Sequence, residues 1–204
     1  MINAIYSLIP NLRIVAIIVA VILTAVLYGA LPLIGWLINK FESFELMWLT
    51  KAFGSKVASF ICNRLTIIGV IVHEFAHAFF AKITGAEVTK ISVLDLFKGN
   101  QLGHVDFVTR GNKFQQAFQA VFASCAPVIV GLIFSHLLIL NLTSGTLGWQ
   151  GYLIDAFLLI SILNHTSMSD ADINIYKTGL KIVVPITLFV IYFFIVLTTQ
   201  VTPA

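Results

Sequence analysis

Between Arg13 and Lys40 the chain runs from Ile14 to Ile38 without a charged side chain. A stretch of this length and composition has few soluble folds open to it. About 20 apolar residues in a helix cross a roughly 30 Å hydrocarbon core, and inside lipid every backbone polar group must be bonded internally, which favours helices. The run exceeds the roughly 7–15 residues of a signal-peptide core, and no clear small-residue cleavage site follows it, so it reads as a retained span.

Four further apolar stretches follow: from about Val57 or Leu65 to Ala81, from about Phe114 to Leu140 with Pro127 inside, from Gly151 to Leu163, and from about Ile182 to Leu197. Of 204 residues, 59% are hydrophobic and 10% charged, with a mean hydropathy of +0.99. A soluble domain carries about 25% charge. These patterns predict an all-α membrane protein of about five transmembrane helices, its core shared with the lipid bilayer.

The net charge of +3 is scattered, with no basic cluster interleaved with aromatics, so no nucleic acid is expected as partner. Cys62 and Cys125 lie far apart in apolar surroundings and imply neither a disulfide framework nor a thiolate metal site.

Two connections stand out. Phe41 to Lys56 mixes Glu42, Glu45, Lys51 and Lys56 with Phe41, Phe44, Trp48 and Phe53, a pattern that suits an interfacial amphipathic segment. Gly85 to Asn112 is irregular, with β-branched stretches at Val88 to Leu94 and His104 to Thr109 around Gly99-Asn100, and predicts a small strand pair or a re-entrant segment. Arg13 and the loops after spans two and four share one side and hold eight basic residues, against four on the other; this places the N-terminus in the cytoplasm.

The chemistry lies in the second apolar stretch, at His73-Glu74-Phe75-Ala76-His77. In a helix, residues four apart share a face, so His73 and His77 can direct two imidazole nitrogens at one zinc ion, with Glu74 beside them as general base. Three ionisable groups between Ile67-Ile68-Gly69-Val70-Ile71-Val72 and Ala78-Phe79-Phe80-Ala81 are costly at membrane depth and are retained where they act. A catalytic zinc takes three protein ligands, leaving the fourth position for water. Phe80 and Ile83 stand where a metzincin has Gly and His, which excludes that class. Glu87, His104 and Asp106 are candidates for the third ligand if their loop folds back. Asp170 and Asp172, at the polar end of the fourth span, are better placed, because folding that span against the second brings one carboxylate to the imidazoles.

The pattern resembles the site-2 protease family of intramembrane metalloproteases: HExxH on an apolar helix, then, after two further apolar segments, an Asn and an Asp eight residues apart. In that family an Asn-x-x-Pro segment leads to Leu-Asp-Gly, whose Asp is the third zinc ligand. Asn164 and Asp172 have that spacing, with Ser167 for the Pro, Ala171 for the Leu and Ile173 for the Gly, so the choice of Asp172 over Asp170 rests on spacing. The resemblance implies a zinc metalloendopeptidase acting on a membrane protein substrate. It assigns His73, His77 and Asp172 to the metal, Glu74 to catalysis and Asn164 to substrate binding, and likens Gly103-His104-Val105 to a strand edge near the site. His165, beside Asn164, is a candidate hydrogen-bond partner that would orient Asp172.

It also divides the chain into an N-terminal helix and interfacial segment (1–64), a protease core (65–179) and a C-terminal helix (180–204). The zinc is expected within the hydrocarbon zone near the cytoplasmic face, with Asn164, Ser167, Ser169 and Asp170 lining a water inlet. The alternative is a non-proteolytic membrane protein that binds or transports divalent metal. Transport favours further ionisable residues along the membrane path, and outside the motifs only Asp155 is comparable.

Overall fold

The computed structural model of the chain describes residues 2–92 and 103–201. The elements in order are α1 (Ile2–Phe53), α2 (Ser55–Ser59), a π-helical segment (Phe60–Leu65), α3 (Ile67–Ile83), β1 (Glu87–Ser92), β2 (His104–Val108), α4 (Lys113–Thr143), α5 (Trp149–Leu163) and α6 (Asp170–Val201). Among the described residues three helices are long and apolar enough to cross a membrane, over Arg13–Phe53, Lys113–Thr143 and Asp170–Thr199. Ser55–Leu65 and Ile67–Ile83 meet the same test only together, as a pair bent by 52°. The 15 residues of α5 make a shorter apolar helix, about 22 Å long at 1.5 Å per residue.

Three sequence expectations need correction. The first apolar helix does not end near Ile38, because α1 continues unbroken through Phe41 to Phe53. Nothing between Ile38 and Phe53 is a strong helix breaker; the first is Gly54, whose φ of 80° ends the helix. Asp170 and Asp172 do not belong to the end of the fourth apolar helix: α5 stops at Leu163, and both aspartates lie in the first turn of α6. The final helix begins at Asp170, well before Ile182, and runs without interruption through the division expected at residue 180.

β1 and β2 pair antiparallel, with Glu87 opposite Val108 and Ser92 opposite His104. Val93 and Leu94, expected in the first strand, and Gly99-Asn100, expected between the strands, lie outside the described residues.

α4 is the central post, packed on α3, α5, α6 and α1. Its start is fixed by a capping box: the Asn112 side chain accepts from the Gln115 backbone, while the Gln115 side chain accepts from that of Asn112. One core cluster joins Ala117, Val121, Cys125 and Val128 of α4 to Tyr176 and Val183 of α6; a smaller one sits under the sheet at Ala81, Ala86 and Ala123. Small residues let the backbones approach closely, as in membrane bundles generally. A methyl group at Gly69 would collide with the Ser161 carbonyl of α5, and one at Gly131 would collide with Thr166. α1 is tied to α6 by Tyr28 and Thr187, whose hydroxyls lie 2.8 Å apart, and by the Tyr176 hydroxyl, which donates to the Tyr28 carbonyl at 2.6 Å. The outer faces of both helices expose large apolar side chains, including Ile14, Ile18, Val26, Phe189 and Phe194.

Candidate metal centre

α3 delivers His73 and His77 on one face, with their Nε2 atoms 3.1 Å apart. Asp172 arrives from α6, its Oδ1 3.3 Å from His77 Nε2 and its Oδ2 4.0 Å from His73 Nε2. The three donors lie within 4.8 Å of one another. A tetrahedral zinc with bonds of about 2.0–2.1 Å separates its ligand atoms by about 3.3–3.4 Å. The His73–His77 and His77–Asp172 separations are close to that spacing and the His73–Asp172 separation of 4.0 Å is longer, so the three residues could hold such an ion.

Hydrogen bonding strengthens the fit. His73 Nδ1 lies 2.6 Å from the carbonyl of His165, and His77 Nδ1 lies 2.7 Å from that of Ala123. A carbonyl only accepts, so each Nδ1 carries a proton, and each ring, when neutral, turns an Nε2 lone pair towards the other ring and a carboxylate. Converging lone pairs repel unless a cation or a proton lies between them. Outer carbonyls holding ligand imidazoles in this way are a regular feature of metal sites.

A second capping box explains why Asp172, and not Asp170, reaches the histidines. Ser169 precedes α6; its backbone N–H and hydroxyl both donate to Asp172 Oδ2, at 2.9 and 2.6 Å, and the Asp172 N–H donates back to the hydroxyl at 3.2 Å. Oδ1 is left facing His77. Asp170, two residues earlier on the helix, is exposed.

Glu74, His77 and Asp172 are 7%, 6% and 8% exposed, so the centre is nearly closed to solvent. Beside it lies a cavity of about 390 Å³, lined on one wall by His73 and Glu74 and on another by Asn164, Ser167 and Ser169. Gly103 completes the rim: a Cβ there would lie 2.8 Å from Glu74 Cγ, so only glycine permits this approach. Three of the four expected inlet residues therefore face one cavity, and Asp170 does not.

Sequence reasoning missed the part of the lining that α1 supplies through Asn39, Glu42 and Glu45. Glu42 accepts a hydrogen bond from Ser167 at 2.9 Å, and Asn164 donates to Glu45 at 3.5 Å. The signal was available, since these three polar residues stand three apart along a helix and so form one stripe.

Other candidates lie elsewhere. Glu87 pairs with Arg110 on the surface. His104 and Asp106 sit on β2, 3.9 Å from each other and outside the three-donor group. Asp155 accepts from Asn141 at 2.5 Å. His165 is not a partner of Asp172: its carbonyl orients His73, while its Nε2 lies 3.0 Å from the Thr66 hydroxyl. That hydroxyl has one hydrogen, given to the Cys62 carbonyl at 2.5 Å, so it accepts from His165. Ser161 adds a clamp, accepting from Gly69 N–H and donating to the Thr66 carbonyl, each at 2.9 Å. Together these bonds satisfy the backbone where the π-helical segment gives way to α3.

No family model matches the chain, and no curated protein and no solved structure matches it either.

Proposed function

We propose that the chain is an intramembrane zinc metalloendopeptidase of the site-2 protease type, with His73, His77 and Asp172 as metal ligands. The observation carrying this reading is the convergence of two Nε2 lone pairs and a carboxylate beside Glu74, at the wall of a polar cavity in an otherwise apolar helical molecule. Bound there, zinc would supply a Lewis acid that polarises a peptide carbonyl and acidifies water.

The remaining work falls to the chain's own residues. Glu74, next to His73 and facing the cavity, takes the proton from the attacking water and returns it to the departing amine nitrogen. Asn164, on the facing wall, offers an amide that can bond the backbone of an extended substrate, at the cost of its contact with Glu45. The α1 stripe of Asn39, Glu42 and Glu45 and the Ser167 and Ser169 hydroxyls admit water to a centre otherwise enclosed by apolar helices. A substrate helix hides its peptide bonds, so it must unwind locally before attack.

In this reading α1, the bent pair ending in α3, α4 and α6 make four membrane passages, and α5, which runs antiparallel to α4 in the same direction as α6, leads into the last of them. The centre lies within the hydrocarbon zone nearer the cytoplasmic side, and the substrates are membrane-spanning or membrane-adjacent proteins. A second reading, a carrier of divalent metal without proteolysis, draws on Glu42 and Glu45 facing the same cavity.

The test compares Glu74→Gln and Asp172→Asn with wild type for metal content and for cleavage of reporter transmembrane segments. The protease reading expects E74Q to retain metal and lose cleavage, and D172N to lose both. Metal transport into vesicles, unchanged in E74Q and without cleavage by wild type, would establish the carrier instead.

A further inference from the structure

Pro127 lies inside α4, where its nitrogen carries no hydrogen, so the helix cannot close its usual bond from residue 127 to the carbonyl of Ala123. The proline ring also crowds that carbonyl and tilts it off the helix axis. Ala123 is 0% exposed and Pro127 is among the fully buried side chains. Bulk water therefore does not reach the carbonyl, and a buried carbonyl requires a donor. The donor that reaches it is His77 Nδ1, at 2.7 Å.

We propose that Pro127 is a positioning residue of the metal centre: by withholding a helical donor from Ala123, it frees the carbonyl that fixes the ring orientation and tautomer of His77. The inference rests on the reading of His73, His77 and Asp172 as ligands. With an amide hydrogen restored at residue 127, the helix draws the Ala123 oxygen back into its own ladder and His77 Nδ1 shares it or loses it. The imidazole is then free to rotate, or to exchange its proton between nitrogens, and Nε2 is no longer held as the ligand.

Pro185 provides an internal comparison, since it interrupts α6 in the same way but lies in a crevice with Ile17, Ala20 and Tyr192, away from the metal ligands. The experiment uses the full chain in detergent and titrates Co(II), with a competing chelator, into wild type, Pro127→Ala, Pro185→Ala and His77→Ala. Affinity, the cobalt d–d absorption and the thermal stability of the metal-free protein are read together. Loss of an outer-shell partner typically weakens metal binding by about 10–100-fold. P127A is expected to bind Co(II) that much more weakly and with an altered d–d band, while its metal-free stability equals or exceeds that of wild type, because a proline has left a helix interior. P185A is expected to bind as wild type does.

Binding by P127A within about threefold of wild type, on the scale of outer-shell losses, with an unchanged spectrum overturns the proposal. So does an equal loss in P185A, or a P127A protein whose weaker binding is matched by loss of metal-free stability. Undiminished binding by H77A overturns the metal-centre reading itself.

Discussion

Replacing Ser169 by Ala removes two of the three hydrogen bonds that hold Asp172 in place. Lost are the hydroxyl's bond to Oδ2 at 2.6 Å and the bond it accepts from Asp172 N–H at 3.2 Å; the backbone bond at 2.9 Å survives. A hydrogen bond to a charged group is worth about 1.5–3 kcal/mol, and loss of a Ser cap costs about 0.5–2 kcal/mol. Ser169 is exposed, so water compensates part of the loss, and about 1 kcal/mol remains, or roughly fivefold in affinity when 1.4 kcal/mol is tenfold. The assay is Co(II) or Zn(II) affinity by chelator competition. Ser169→Ala should bind about fivefold more weakly on this arithmetic, Ser169→Thr should recover, and Asp170→Asn should match wild type. Affinity of S169A within about twofold of wild type, or an equal loss in D170N, refutes the view that the capping box selects and orients the carboxylate.

Removing the metal with a chelator should abolish cleavage, and re-addition of zinc should restore it; activity surviving complete removal, verified by elemental analysis, refutes the mechanism. Thr66→Val should weaken metal binding by up to about tenfold, the lower end for an outer partner, with Thr66→Ser near wild type, because the hydroxyl holds the His165 ring whose carbonyl orients His73; equal affinities in a chelator titration would contradict that link. Gly69→Ala should destabilise the fold by about 1–3 kcal/mol, since its Cβ would strike the Ser161 backbone and lie 2.7 Å from a His165 ring carbon; an unchanged unfolding midpoint would show that the α3–α5 contact can relax. Ser167→Cys, in a background lacking Cys62 and Cys125, should react with a membrane-impermeant thiol reagent from the cytoplasmic side; reaction from the opposite face alone would invert the proposed topology.

Much of this molecule was legible locally. Apolar stretches announced α1, α4 and α6 because helix formation in an apolar setting depends on composition and length, both visible along the chain. His73 and His77 were legible for a similar reason: their spacing of four equals about one helical turn, so one local element brings them together. The strand pair was legible from its β-branched runs.

What failed were the junctions. No apolar count marks Gly54 as the end of α1, or Ser169 as the start of α6, although Ser169-Asp170-Ala171-Asp172 carries the spacing of a capping box. Reading that box would have moved Asp172 to the correct helix and separated it from Asp170 without the help of a resemblance.

Donor types and the pairing of two histidines were written in the chain, because they depend on residue chemistry and a single helix period. The rest of the centre depends on distant segments. Asp172 faces His77 across 95 residues, the Ala123 carbonyl accepts a hydrogen bond from His77 across 46, and Glu42 meets Ser167 across 125. Those pairings follow from how α1, α3, α4 and α6 pack, through the close approaches that Gly69 and Gly131 allow. Packing energy is a property of facing surfaces, and only the tertiary structure states which surfaces face.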